Sequence, residues 1–399
     1  MITLENLSVV YEKALANKRS TVDATDFAVS SFREIVGLRD EANCRLFRAE
    51  SNYAFVVSRP KPREIFATKM RTRVRHHYLD WRLRPIYESV LSCRSFNNRK
   101  GKGLHKAIDT FRDDICVMTE NYTRDAWIVH LDLKGYFPNA NVEIALAQQL
   151  DLIDRCYDGD DKDDLKYMMT VCMRSDPARN CVVFVPRSNW DCIAPEKSLF
   201  NKPVGTGAAI GFLCWQNAMG LYINDVIKWL ESFGFMRVVV FVDDIYVVTK
   251  DKAAFLALMP ELRRRLANLD VRLNERKFYC QHYSKGVMML GTMLKFDRSY
   301  CNDRTFGNAI RNVERWAENA SYARSHPQSI LCSVNSHIGC LKKRDQHNRL
   351  QSLKTLVEKK LSFIREWNEK KHCFGLKDKY TMKNLLKRKY RLDRMIWED

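Results

Sequence analysis

The sequence predicts an α+β fold: an antiparallel sheet backed by helices and followed by a helical region. Three observations carry this. Val238-Val239-Val240-Phe241-Val242-Asp243-Asp244-Ile245-Tyr246-Val247-Val248 is an apolar run broken only by two acids. It reads as a buried β-hairpin with the aspartates at its tip. Trp127 to Asp132 is a second apolar strand, and it ends on an acid. From Thr305 onward apolar residues recur with a helical period and no strand signal.

Residues 1–58 alternate helical patterns with polar breaks and form an N-terminal helical extension. Residues 59–126 form the next segment, strongly basic over 59–115. Lys61-Pro62-Arg63-Glu64-Ile65-Phe66 sets two cations around a rigid proline before an apolar strand. Arg71, Arg73, Arg75, His76 and His77 follow on a helix ending near Pro85. Arg99-Lys100-Gly101-Lys102-Gly103-Leu104-His105 is a Gly-spaced basic loop that opens a helix. Backbone amides with Lys and Arg heads at such a loop can converge on a phosphate, although such loops also serve as solvated turns.

Residues 127–295 hold the strands with the acids, interrupted by an insertion at 151–202. Within this stretch Asp151 to Asp164 is acidic and reads as an exposed turn. Val182 to Val185 is a short strand. Lys202 to Gln216 is Gly-rich and leads into a helix, Asn217 to Leu230, and the small residues at 205–211 let a flat group approach the backbone. Leu256 to Leu269 is an amphipathic helix interrupted by Pro260. Leu273 to Lys277 precedes a strand, Val287 to Leu290, closed by Gly291. Residues 296–375 are helical, and 376–399 form a basic helical C-terminal tail. The segment 341–399 alone carries 18 Lys and Arg against 8 Asp and Glu.

The chain of 399 residues is long enough for two or three subdomains, and its hydrophobic content of 46% is that of a globular protein. Its net charge of +19 points to a polyanionic partner, with nucleic acid favoured over membrane because no basic amphipathic anchor stands out. No long uncharged apolar stretch suggests a membrane span, and Met1 to Asn6 lacks the pattern of a signal peptide. The 13 cysteines form no Cys-x-x-Cys pair, which argues against zinc or a disulfide framework and for a cytoplasmic setting.

Burying ionised carboxylates unpaired costs several kcal/mol, so the Asp243-Asp244 pair needs a cation. Asp-Asp alone is also an ordinary turn, and Asp132 alone an ordinary cap. Together Asp132, Asp243 and Asp244 make a cluster suited to two Mg²⁺ ions about 4 Å apart, with Mn²⁺ as a substitute. One ion would activate a hydroxyl nucleophile and the other would steady a triphosphate, which is the chemistry of nucleotidyl transfer. Lys277 is a candidate general acid toward the leaving pyrophosphate.

In order, these stretches resemble the motif series of reverse transcriptases over roughly residues 55–310. Lys61-Pro62-Arg63 and Arg99 to Gly103 are similar to the fingers motifs, Asp132 to Phe137 to the first palm motif, and Gly207 to Gln216 to the template-side motif. Phe241-Val242-Asp243-Asp244 stands where the family carries its paired aspartates, and Asn274 to Lys277 with Met289-Leu290-Gly291 resemble the closing palm motifs. Ile210-Gly211 followed by Gln216 is similar to the pattern of bacterial diversity-generating retroelements. Lys197 to Phe200, Gln281 to Val287, Asn302 to Thr305 and Asn335 to Gly339 are further likenesses to that group. Trp215, Phe212 and Ala208-Ala209 depart from it. A Trp beside a templating base would alter fidelity or template choice, and that departure with the long basic tail suits the defence-associated, antiphage relatives.

The resemblance implies a right-hand polymerase fold with fingers, an antiparallel-sheet palm and a helical thumb. It implies an RNA-directed DNA polymerase copying a cognate structured non-coding RNA into cDNA from dNTPs. Asp132, Asp243 and Asp244 would hold the metals, and Lys277 would act near pyrophosphate. Phe137 would gate against a ribose 2′-hydroxyl. Arg63, Lys100 and Lys102 would grip the triphosphate, with Gly211 and Gln216 at the nascent pair. An accessory subunit or second reverse transcriptase is an expected partner, and a membrane is not. Two other readings stay open at this level: a catalytically silent RNA-binding scaffold, and template-independent or protein-primed synthesis.

Overall fold

The computed structural model describes residues 1–381 apart from 17, 20, 48, 59 and 60. Most of the basic tail, 382–399, therefore lies outside the described residues. The chain is α+β and divides into two compact units, Met1–Gln281 and His282–Asp399.

The first unit contains two sheets. The central sheet has the order β5-β6-β3-β7, built from β3 (Trp127–Asp132), β5 (Met236–Phe241), β6 (Asp244–Thr249) and β7 (Tyr279–His282). Strands β5, β6 and β3 run antiparallel. Val238, Val239, Val240, Ile245, Val247 and Val248 are all buried, which is why β5 and β6 read as a continuous apolar run rather than an alternating one. The helix Leu104–Met118 covers one face, with Phe111 ringed 5.6 Å from Tyr246.

The second sheet has the order β2-β1-β4, where β1 (Asn52–Val57) pairs antiparallel with β2 (Arg63–Ala67) and parallel with β4 (Cys181–Val183). The N-terminal extension is thus shorter than 1–58. Its helices are Leu4–Leu15, Val22–Val29 and Ser31–Asn43, and the chain then enters the sheet.

Three local expectations are corrected. Asp151 to Asp164 is not an exposed turn. The helix Val142–Cys156, capped by Asn141, runs through its first half and the helix Lys162–Arg174 through its last. Between them Asp161 is buried and accepts from Tyr78 Oη (2.7 Å), Tyr157 Oη (2.5 Å) and Arg82 Nη2 (2.6 Å). Burial pushes its pKa up, but these partners outweigh burial and hold it below the usual carboxylate value. Pro85 and Pro260 also fail to end their helices, which run Met70–Val90 and Lys252–Ala267. Each proline frees the carbonyl four residues earlier. At Pro260 that residue is Leu256, which is exposed, so water can satisfy the carbonyl.

The second unit starts with a sheet of order β10-β9-β8, made of β8 (Val287–Met289), β9 (Thr292–Leu294) and β10 (Ser299–Cys301). Among the described residues four α-helices follow: Asp303–Glu318, Ala320–Ser325, Pro327–Lys342 and His347–Lys360. They bury Val313, Trp316, Ile330, Val334, Ile338, Leu353 and Val357 in a core of their own. Strands β8 and β9 pair with β10, and the division into compact units falls between Gln281 and His282.

Candidate active site

Phe241 and Asp244 are register partners, so only Val242 and Asp243 form the hairpin turn. Val242 has a φ of +62°, the left-handed backbone that two-residue hairpins require at their first turn position and usually assign to Gly or Asn. A β-branched residue there costs about 1–2 kcal/mol. The turn is braced from outside. The segment 94–96 hydrogen-bonds along β5, from Phe96 N to Val240 O (3.0 Å) and from Val240 N to Arg94 O (2.9 Å). Asn97 Oδ1 accepts from Val242 N at 3.4 Å.

Across β3 and β6, Asp132 is the register partner of Asp244 and His130 that of Tyr246. Alternation puts all four on one face of the sheet. The amide of Leu133 donates to Asp243 O at 3.1 Å, so the acid-bearing turn is stitched directly to the end of β3. His130 Nε2 lies 2.9 Å from Asp244 Oδ1, and its ring packs against Tyr246 and Tyr279 at 4.7 and 5.4 Å.

Residues 272–274 lie beside the end of β3, with Asn274 N donating to Asp132 O at 2.8 Å and Lys134 N to Arg272 O at 2.8 Å. This delivers two side chains to the Asp132 carboxylate. Asn274 Nδ2 donates to Oδ2 at 2.8 Å, and Lys277 Nζ donates to Oδ1. Burial alone would lower the Lys277 pKa. The hydrogen bond to Asp132 and the charges of Asp132, Asp244 and Asp243 outweigh it and raise the value. Asp243 is raised above the ordinary carboxylate range, first by burial and then by the charge of Asp244, with Asp132 adding to it and Lys277 opposing. Asp243 therefore feels both other acids, and Lys277 feels all three.

Among the described residues no three Asp, Glu, His or Cys side chains stand together as a ready metal site. Lys277 and Asn274 engage Asp132, and His130 engages Asp244. The donor set nonetheless fits a hard divalent cation, because three coupled carboxylates share one Lys and one of them resists ionisation.

The other sequence-predicted residues divide sharply. Phe137 is half-buried, edge-on to Tyr136 at 5.9 Å, and its carbonyl accepts from Ala208 N at 2.8 Å, which joins the first acid motif to the Gly-rich segment. Arg63 and Lys100 are exposed. Lys102 is a correction. Its Nζ donates to the carbonyl of Cys93 and sits 4.8 Å from the Phe96 ring, so it fastens its own loop rather than standing ready for a triphosphate. Burial, with Arg99 nearby, lowers its pKa.

Gly211 is a second correction. A Cβ there would lie 2.2 Å from Phe66 O, and Phe66 N donates to Ile210 O at 2.9 Å. The missing side chain makes room for β2, not for a base. Trp215 is a third: at 1% exposure it belongs to the core, as does Phe212, so neither borders a template. Gln216 is half-exposed on the helix Leu213–Tyr222.

His130 and Asn274 were not singled out by sequence reasoning. His130 carried a signal, standing two residues before Asp132 on a strand and hence on its face. Asn274 stood at the head of the Asn274 to Lys277 motif without a role of its own, and Asn97 carried no signal, since only the fold brings it to the acids.

A family model described as reverse transcriptase (RNA-dependent DNA polymerase) matches residues 59–294, well over half of the chain. The chain belongs to the reverse transcriptase family. No curated protein sequence matches this reverse transcriptase. Among solved structures it is similar to apo telomerase from Candida tropicalis truncated from the C-terminal domain. That match has 11% identity and a TM-score of 0.43, over 64% of this chain and 55% of that one. It is also similar to telomerase from Candida albicans in complex with the TWJ fragment of telomeric RNA, with 11% identity and a TM-score of 0.45, over 80% and 56%. The chain thus spans about half the length of these telomerases.

Proposed function

We propose that this reverse transcriptase is an RNA-directed DNA polymerase that extends a DNA 3′ end on a structured RNA, using dNTPs. The observation that carries the reading is the register of Asp132 opposite Asp244, with Asp243 in the turn between β5 and β6 and all three charges acting on Lys277. Asp132, Asp243 and Asp244 would hold two Mg²⁺ ions, or Mn²⁺. When bound, these ions would activate the 3′-hydroxyl and neutralise the departing pyrophosphate.

The side chains have work of their own. Lys277, released from Asp132 as a metal replaces it, would turn its ammonium toward the leaving phosphate. His130 would release Asp244 in the same exchange. Phe137 would close against a ribose 2′-hydroxyl, Arg63 and Lys100 would neutralise the triphosphate, and Gln216 would flank the nascent pair. In this reading residues from β1 to the loop at 92–103 act as fingers, the central sheet as palm and the helices after Asn302 as thumb.

The residues at 210–216 and 335–339 support a place among bacterial diversity-generating or defence-associated enzymes acting on a cognate non-coding RNA. The described cysteines are all free, which supports a reducing, cytoplasmic setting. An accessory subunit, or a second copy of a reverse transcriptase, belongs to the same proposal.

The test is an Asp243→Ala, Asp244→Ala variant assayed for dNTP incorporation and for RNA binding. Incorporation should vanish and RNA affinity should stay within about twofold of the parent, since phosphate contacts elsewhere supply binding. Incorporation that survives the double substitution would refute the assignment.

A further inference from the structure

Arg99, at the head of the Gly-spaced basic loop, does not face solvent. Its side chain is only 7% exposed, with Nε donating to Glu88 Oε2 at 2.8 Å and Nη1 to Ser92 O at 2.6 Å. It ties the segment 92–99 to the end of the helix Met70–Val90. The same segment lies along β5, where Ser95 bridges Val240 in the parallel sense, two residues before the acid-bearing turn. Segment 92–99 therefore sets the position of the strand that leads to Asp243.

A second set of bonds carries this segment to the helix Leu213–Tyr222. Arg84 Nη1 donates to Asn98 O at 2.6 Å, and Nη2 of the same guanidinium donates to Asp80 Oδ1. Asp80 Oδ1 also accepts from Asn217 Nδ2 at 2.6 Å. Asn217 is buried and directly follows Gln216 on that helix. Asn98 Nδ2 points back to Gln216 O at 3.5 Å, a long contact that adds little beside the others. The Arg84 and Asp80 side chains are themselves only 30% and 19% exposed, so water screens the pair incompletely. Arginine suits this place because its rigid fork holds two acceptors from different segments in one plane.

We propose that Asp80 and Arg84 are positioning residues for nucleotide insertion, bridging the strand of the acids to the helix that carries Gln216. The proposal rests on the polymerase reading, in which Gln216 flanks the nascent pair and Asp243 holds metal. Every group in the bridge lies in the first unit. Asp80 and Arg84 act through Asn217 and Asn98 rather than on the substrate, and together they fix the gap between the helix and the acids. A correct base pair fits that gap. A mismatched pair has a different width or tilt, so it must displace the helix before its reacting atoms align. The bridge opposes that displacement. Once it is cut, the helix yields and a mismatch is accepted more readily.

The experiment uses the full chain with Mg²⁺ and a primed RNA template, and measures kcat/KM for the correct and for a mismatched dNTP. Arg84→Lys keeps the charge beside Asp80 but gives up the fork. Asn217→Leu removes the link to the helix at similar volume, and Asp80→Ala takes its place if that variant does not fold. Each change should lower discrimination about three- to tenfold, mainly through the mismatched dNTP. The links stand in series, so the double variant should discriminate no worse than the poorer single one. Hydrogen exchange reads the bridge without turnover: Arg84→Lys should speed exchange at the Phe96 amide and in the helix Leu213–Tyr222. Parental discrimination in both single variants of an active enzyme overturns this proposal alone. Losses that simply add in the double variant, or unchanged exchange in that helix, also overturn it. A parent that inserts no dNTP overturns the polymerase reading, and this proposal with it.

Discussion

Lys277 meets Asp132 across 145 residues of chain, an ion pair on one of the carboxylates proposed to hold the metals. The lysine is more than half exposed and the aspartate almost fully buried, so the pair leaves the cation free to swing and the anion fixed. Substituting Lys277→Met removes the competitor for Asp132. The concentration of Mg²⁺ giving half-maximal thermal stabilisation should fall several-fold. DNA synthesis at saturating Mg²⁺ should fall by about 100-fold, the usual contribution of a positioned proton donor. A metal midpoint that does not move would show that the ion pair does not compete with Mg²⁺.

Asp243 is expected to destabilise the metal-free protein. Its pKa in the folded chain is raised by burial and by Asp244, so the fold favours its protonated form. Between the unfolded value near 3.8 and the higher folded value the native state binds more protons, and stability falls as pH rises through that window. The loss persists at neutral pH. Asp243→Asn should therefore raise the melting temperature at pH 7 in EDTA, by about 2–4 °C for each kcal/mol relieved. Near pH 3.5 the two proteins should melt alike. Saturating Mg²⁺ should narrow the neutral-pH gap by stabilising the parent alone. Scanning calorimetry at the two pH values, with and without metal, checks all three.

The helix Met70–Val90 gives the first unit a sensitivity to acid. Burial pushes His76 down to about 3, with His77 and nearby arginines adding, and pushes His77 down to about 4, with Arg73 adding. His76 is enclosed by Phe212, 5.1 Å between rings, and Cys214 Sγ at 3.5 Å. Both imidazoles stay neutral in the fold and take up protons on unfolding once the pH drops below 6.5. Stability is therefore full above that value and declines as pH falls toward 4. The slope should approach about 1.4 kcal/mol per pH unit for each histidine. Guanidinium titrations at pH 7 and pH 5 measure it, and His77→Gln should reduce the difference between them.

What could be read from the sequence follows from which interactions are local. The β5–β6 hairpin was legible because burial on both faces leaves an apolar run in which two acids stand out. Asp132 was legible because a strand ending on a carboxylate is unusual enough to notice. Lys102, Gly211 and Trp215 were misread for a common reason. Cys93 lies in the same loop as Lys102, Phe66 and the core lie on other segments, and in every case motif order does not say which way a side chain faces. Asp161 was missed because its three partners come from a helix about 80 residues away and from Tyr157. The pairing of β8 and β9 with β10 was not legible, because they carry ordinary strand chemistry and only the fold assigns their partner.

Two glycines in the same segment should respond very differently to a single methyl group. Gly205 has a φ of +78° and open space around the site of a Cβ, so Gly205→Ala pays only the left-handed backbone, about 1–2 kcal/mol. Gly211 has a φ of +117°, and its Cβ would lie 2.2 Å from Phe66 O and 3.1 Å from Phe66 C. Those atoms are strand backbone and cannot rotate away. They are held by the Phe66–Ile210 hydrogen bond and by β1, where Phe66 pairs with Ala54. Backbone strain and overpacking add, so Gly211→Ala should cost about 3 kcal/mol or more. It should also displace the helix Leu213–Tyr222 that follows. Urea unfolding of both variants makes the comparison. If Gly211 served only to admit a base, the alanine would leave stability near that of Gly205→Ala and impair template use alone, whereas close contact with β2 requires that stability fall first.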